Sequence, residues 1–335
     1  MVVSNKIIIY TSNNILIYLN CAAILVHLLS GIFGIYNIQD GNPKVDVTAP
    51  LFDFITDPLP GEPFLKTIPK VIFTVGILTP LVAVEFITAA FHMIYLASLY
   101  YPNVEKFIRG YIINSPSKNP LRWIEYGITA TLMASFGNVA IGITDFYMFV
   151  RTISCGITLQ GLGYLIECVG EEYRKSDNEQ KKIFLKLYRG LYYFQGLLNN
   201  LPFVGILLYQ TFASSTHGAF KLFIENSFPL AFWYNTFGLV CQAEFNGWKP
   251  FASKEFSEKY YILLSVSTKM AIFWTEFATF KKIIEDNGFI ESSGLNWDAV
   301  RYCALSIPFS VVAAFAFYDY RSWKFNHLYQ SLNTN

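Results

Sequence analysis

Charge is what this sequence has least of. Only 15% of its 335 residues are Asp, Glu, Lys or Arg, against 53% hydrophobic and 18% aromatic. That balance is too apolar for an ordinary soluble domain. The formal net charge is +1, so no basic surface points to nucleic acid as a partner. Cysteine is scarce as well. The five present (Cys21, Cys155, Cys168, Cys241 and Cys303) make no Cys-x-x-Cys pair. They fall within or at the ends of apolar segments and read as small buried residues, not as a zinc site or disulfide framework. Walker-loop, His-Glu-x-x-His and nucleophile-elbow patterns are missing, so the chain is not expected to be an enzyme. No basic leader with a small-residue cleavage site precedes the first apolar run, which therefore reads as a membrane span. Fixed-period repeats and low-complexity tracts are missing too.

What the chain does have is a series of apolar segments of about 20 residues, each long enough to cross a hydrocarbon core of about 30 Å. Span one is expected over 15–35, with His27. A connector over 36–68, rich in Pro, Asp and Gly, is long enough to hold a small hairpin over the membrane surface. Span two is expected over 71–99, where Glu85 and His92, seven residues apart, share a face. Span three follows Asn119-Pro120 and runs to 143, and span four, over 145–167, pairs with it. Residues 171–186 carry the most charge and are expected in water. Span five covers 191–212, where Pro202 is expected to break or kink the helix. Span six covers 219–245, with Pro229 inside it and Glu225 and Glu244 toward its ends, where an interfacial position is the expected one. Span seven covers 260–280. A further apolar run over 302–318, with Pro308 inside, reads either as a short eighth span or as a re-entrant or surface-lying helix.

The fold class is thus an all-α membrane protein: a seven-helix transmembrane domain over 1–282 and a C-terminal extension over 283–335 with an extra apolar helix. Lys and Arg are more numerous in the loops after spans two, four and six (Lys106, Arg109 and Lys118; Arg174, Lys175, Lys181, Lys182 and Lys186; Lys249, Lys254 and Lys259) than on the other side. The positive-inside bias therefore puts the N-terminus in the cytoplasm.

Lys269, in the middle of span seven, is the residue with the strongest claim to chemistry. A charged lysine at the bilayer centre costs about 2.5–3.5 kcal/mol on insertion scales and is a functional candidate by default. Apolar burial disfavours its ammonium and makes the amine a nucleophile suited to Schiff-base formation with an aldehyde. The plainer reading pairs it with Glu276 or lets it snorkel to the interface. Ser265, Lys269, Phe273 and Glu276 lie on one helical face, which must look into a bundle. A cationic Schiff base needs an anion, and Glu125, about one turn into span three, is the best candidate. The alternative for Glu125 is an interfacial ion pair with Arg122, three residues before it.

At these residues the chain resembles a known family. Leu121-Arg122-Trp123-Ile124-Glu125-Tyr126 is similar to the third-helix motif of heliorhodopsins, and Glu258 through Ser265, Lys269 and Trp274 resembles their seventh helix. His27-Leu28-Leu29, Ala90-Phe91-His92, 201–209 and 235–240 agree in order. The resemblance covers roughly residues 15 to 280 and implies all-trans retinal bound covalently at Lys269, with Glu125 as counterion and Ser265 one turn away. It further implies that His27 and His92 sit in a polar cavity on the cytoplasmic side, that Met133, Phe203, Tyr234 and Trp274 lie around the chromophore, and that the protein is a homodimer in the lipid bilayer with a cytoplasmic N-terminus. For Met133 and the aromatics, ordinary helix packing is the more economical reading. Cys241 stands where the family often has a polar amide, and the segment after about 286 has no counterpart.

Two functions fit. In one, light moves a proton: Glu85, Glu225, Glu244 and Glu276, in addition to Glu125, are acids at or near membrane depth, and such acids commonly mark proton relays. In the other, the protein is a purely sensory photoreceptor that signals through a partner. A multi-pass transporter without a chromophore fits the motifs poorly.

Overall fold

The computed structural model describes the backbone of residues 2–38, 41–54, 65–106, 119–140, 142–213, 228–286 and 294–333, with side chains over most of them. Helix dominates, as expected where apolar segments must satisfy their own backbone groups. In chain order these are α1 (Val2–Ile38), α2 (Leu78–Tyr100), the single turn α3 (Pro102–Glu105), α4 (Pro120–Ala140), α5 (Phe146–Lys175), α6 (Glu179–Ala213), α7 (Phe228–Phe245), α8 (Lys254–Asp286) and α9 (Trp297–Asn333). Among the described residues four segments are both long and apolar enough to cross a membrane: Asn14–Ile38, Leu78–Tyr100, Phe146–Lys175 and Trp297–Ser322.

The connector does hold a hairpin, and the hairpin takes more of the chain than expected. Strands β1 (Lys44–Phe54) and β2 (Leu65–Gly76) pair antiparallel, Lys44 opposite Gly76, with a bulge at Val47/Thr48. Residues 71–76, expected to open span two, are therefore strand. Hydropathy cannot separate a buried strand from a helix, and Val71, Ile72, Phe73, Thr74 and Val75 are all β-branched or aromatic. The helix starts where Asn42 folds over it: Leu78 N–H donates to Asn42 Oδ1 at 3.1 Å, and Asn42 Nδ2 donates to Thr79 Oγ1 at 2.8 Å. Gly76 makes room for this, since a Cβ there would lie 2.2 Å from the Asn42 amide nitrogen. Thr48 N–H donates to Thr144 O at 2.9 Å, tying the hairpin to the turn between α4 and α5. In that turn Asp145 caps α5 by accepting from Met148 N–H at 2.8 Å, a contact of about 1 kcal/mol.

Helices α4 and α5 approach closely because two glycines seven residues apart on α5 leave space. A Cβ on Gly156 would lie 2.4 Å from Thr131 Oγ1, and one on Gly163 would lie 2.1 Å from the Trp123 ring. The lysine helix α8 packs against α1, α2, α7 and α9. Leu78, Leu81 and Val82 of α2 meet Phe273 and Phe277 of α8 and Trp297 of α9 in the largest apolar cluster among the described residues.

Other expectations change here. Helix α6 continues through Pro202 without a break. The C-terminal apolar run belongs to a 37-residue helix that continues through Pro308, so its length no longer argues for a surface position. Cys21 and Cys303 are exposed and Cys155, Cys168 and Cys241 half-buried; none is the buried residue expected. Of the charged stretch, Lys175, Lys181 and Glu172 do face outward, but Glu171 is only 3% exposed.

Candidate functional site around Lys269

Lys269 lies halfway along α8 and is 3% exposed; its Nζ donates to Glu125 Oε1 on α4, itself 2% exposed. The Tyr126 ring centre is 5.3 Å from that nitrogen. One cation meets one anion, so the pair is neutral overall and shielded from water. The pairing of Lys269 with Glu276, and its escape to an interface, are both overturned. Ser265, one turn earlier on α8, is buried, and Met133 packs with Val84 and Ile272. Glu276 is half-buried two turns further on and faces α4, where a Cβ on Gly137 would lie 3.8 Å from its Oε1.

Trp274 is not on this face. Five residues beyond Lys269, it is turned about 140° around the helix and looks to α1, its ring 4.9 Å from Phe33 and its Nε1 donating to Ser30 Oγ at 3.2 Å. Phe203 and Tyr234 lie in α6 and α7 with side chains outside the described ones, and Glu225 lies outside the described residues.

Arg122, one turn before Glu125, does not pair with it. The guanidinium donates to Glu258 Oε1 at 2.7 Å and to Glu167 Oε2 at 3.0 Å, and sits 3.7 Å from the Tyr261 ring centre. Trp123 Nε1 also donates to Glu167 at 2.6 Å, and Asn119 Nδ2 to Glu258 at 3.1 Å. Sequence reasoning missed both carboxylates as partners. A signal was available: Arg122 opens span three, Glu167 closes span four and Glu258 precedes span seven, so all three fall at one end of the bundle.

A second polar cluster joins α1 to α2. His27 Nδ1 lies 2.7 Å from Glu85 Oε2, and His92 Nδ1 lies 2.8 Å from Asn20 Oδ1. The two imidazole rings stack with centroids 6.0 Å apart, and all four residues are at most 2% exposed. His27, Glu85 and His92 lie within electrostatic reach of Lys269. Glu244, expected at an interface, is buried at 7% exposure; its carbonyl oxygen accepts from Arg174 at 3.1 Å.

The site is thus a buried lysine–carboxylate pair on two long helices, with a second buried cluster of two histidines, Glu85 and Asn20 between α1 and α2. No curated protein matches this chain. The sequence profile of the heliorhodopsin family matches residues 16–280, a stretch that contains Lys269, Glu125, the two histidines and both partners of Arg122. The chain therefore belongs to the heliorhodopsins, and is with them a retinal-binding, light-sensing protein of the membrane.

Proposed function

We propose that all-trans retinal is held as a protonated Schiff base on Lys269 Nζ, with Glu125 as counterion, and that light drives proton movement through the protein. The bundle would comprise α1, α2 and α4 to α8, assembled as a homodimer in the bilayer with the N-terminus in the cytoplasm. The observation that carries this reading is the Lys269–Glu125 pair, withdrawn from water between α8 and α4. Its donor set fits an aldehyde chromophore: the amine supplies the nitrogen for condensation, with one water lost, and the carboxylate balances the charge that stays on nitrogen. When bound, retinal supplies visible absorption and light-driven isomerisation. Glu125 fixes the charge at the nitrogen, Tyr126 shields that nitrogen from one side, Ser265 is buried one turn away on α8, and Met133 packs on Ile272 of the same helix.

Proton movement is supported by how acids are distributed in depth. On α8, Glu258 precedes Lys269 by 11 residues and Glu276 follows it by seven, together about 27 Å of helix, close to a hydrocarbon thickness of about 30 Å. Glu85, bonded to His27, adds a buried acid–imidazole pair beside that line. A sensory protein without ion transport is the second reading. It is favoured by Arg122, whose permanent charge stands between Glu125 and the acids at the α8 N-terminal end.

Whole-cell voltage clamp with added retinal, under light and at two external pH values, separates the two. A photocurrent whose reversal potential follows the proton gradient is the expected result. No current in cells that show a visible retinal band would leave the sensory reading in its place.

A further inference from the structure

The family match ends at residue 280, and α9 lies wholly beyond it. Yet α9 is fastened to the lysine helix at two widely separated places. At the first, Trp297, 4% exposed, donates its Nε1 to Glu285 Oε1 at 2.8 Å, and Asp298 accepts from Lys282. At the second, Asp319 accepts from Lys259 Nζ and from the Tyr260 hydroxyl, the latter at 2.8 Å. Lys259 and Lys282 are 23 residues apart on α8 and Asp298 and Asp319 are 21 apart on α9, about 34 Å and about 32 Å of helix. Both exceed a hydrocarbon thickness of about 30 Å. The two helices run antiparallel, with their ion pairs at the two ends of that distance and an uncharged stretch over 302–318 between them. Ile307, Phe309, Val311 and Phe317 in this stretch are 41–63% exposed, which suits contact with lipid and not with water.

We propose that α9 is an eighth membrane-crossing helix and that Asp319 is a positioning residue for the lysine helix. The residues it holds, Lys259 and Tyr260, are flanked by Glu258 and Tyr261, which grip Arg122 from the α8 side, one turn from Glu125. That end of α8 is thus clamped from both sides, by Arg122 of α4 and by Asp319 of α9. In this proposal isomerisation of the chromophore on Lys269 displaces α8 and the clamp draws it back, so releasing Asp319 slows the return after light. An even number of crossings also puts the two chain ends on one side of the membrane.

The topological half does not depend on chromophore chemistry; the positioning half rests on the retinal reading above. Epitope tags at the two ends of the full chain, probed with antibody before and after permeabilising the cells, are expected to become accessible together. Accessibility from opposite sides would overturn the eighth crossing. In retinal-reconstituted protein, Asp319→Asn is expected to leave the absorption maximum in place and slow photocycle recovery about tenfold, with Asp319→Glu restoring it. Unchanged or faster recovery in Asp319→Asn would overturn the positioning role, as would failure of Asp319→Glu to restore the rate. If Asp319→Asn does not fold, Tyr260→Phe carries the test: slower recovery is expected, and an unchanged rate counts against the clamp. A wild-type protein with no visible band would sink the retinal reading while leaving the tag result intact.

Discussion

Two buried cations on neighbouring helices are treated differently by this fold. Among the described residues Lys269 has a single carboxylate, Glu125, while Arg122 has two, Glu167 and Glu258, with further donors on each and an aromatic ring against its face. The first arrangement leaves the amine with one partner, as the proposed condensation with an aldehyde requires. The second saturates a group that does not titrate and presents a planar fork to two acids. One site is the one proposed for chemistry and the other holds α4, α5 and α8 together, although Arg122 and Glu125 are only one turn apart along α4.

The largest effect that would test this division is at the lysine. Lys269→Ala is expected to abolish visible absorbance in retinal-supplemented membranes, and a persisting retinal band would sink the Schiff-base assignment. Arg122→Gln is next. It leaves buried Glu167 and half-buried Glu258 without their shared cation, and removal of one partner from a buried ionic cluster costs about 3–5 kcal/mol. Loss of the band on heating should therefore occur at clearly lower temperature, while the absorption maximum stays near wild type. A stable Arg122→Gln protein with a displaced maximum would mean that Arg122 belongs to the chromophore site after all.

Glu125→Gln should behave in the opposite way, with a change in colour as its main effect. The counterion stabilises charge localised on nitrogen in the ground state, so weakening it narrows the gap to the more delocalised excited state. The band is expected to move to the red. An unmoved maximum would reassign the counterion, with Glu85 and Glu276 the next residues to replace.

How far these two sites were legible in the sequence follows from the distances involved. Lys269 and Glu125 could be found because each is marked locally, by a charge inside an apolar run and by a motif around it. The grip on Arg122 could not be read the same way. Its nearest acid in sequence, Glu125, is one turn away and on the correct helix, whereas its actual partners are 45 and 136 residues distant. Helical spacing proposes neighbours along one helix and is silent about which helices meet. The hairpin shows the same limit in another form: an apolar run of β-branched residues reads as membrane span until Asn42, from before the first strand, sets where α2 begins. Asp319 lay beyond any motif, and its role emerges only from the antiparallel packing of α9 on α8.

The smallest effect belongs to an ion pair that lies in water. Lys182 and Glu179, three residues apart at the start of α6, approach to 2.9 Å with the glutamate side chain 80% exposed. The hydrogen bond from Lys182 holds the Glu179 carboxyl below its usual range, so whatever this pair contributes is present at neutral pH and is lost as the pH falls through that lowered value. Solvent screening makes the contribution small, and Lys182→Ala is expected to leave the thermal midpoint unchanged within error at pH 7, with no difference in acid. The same pH range cannot discharge Arg122. The guanidinium keeps its charge and stays bonded to Glu167 and Glu258 of two other helices, so losing that cluster is expected to cost far more than losing the α6 pair. If Lys182→Ala shifted the acid midpoint as much as Arg122→Gln does, burial would no longer explain why one ionic contact matters and the other does not.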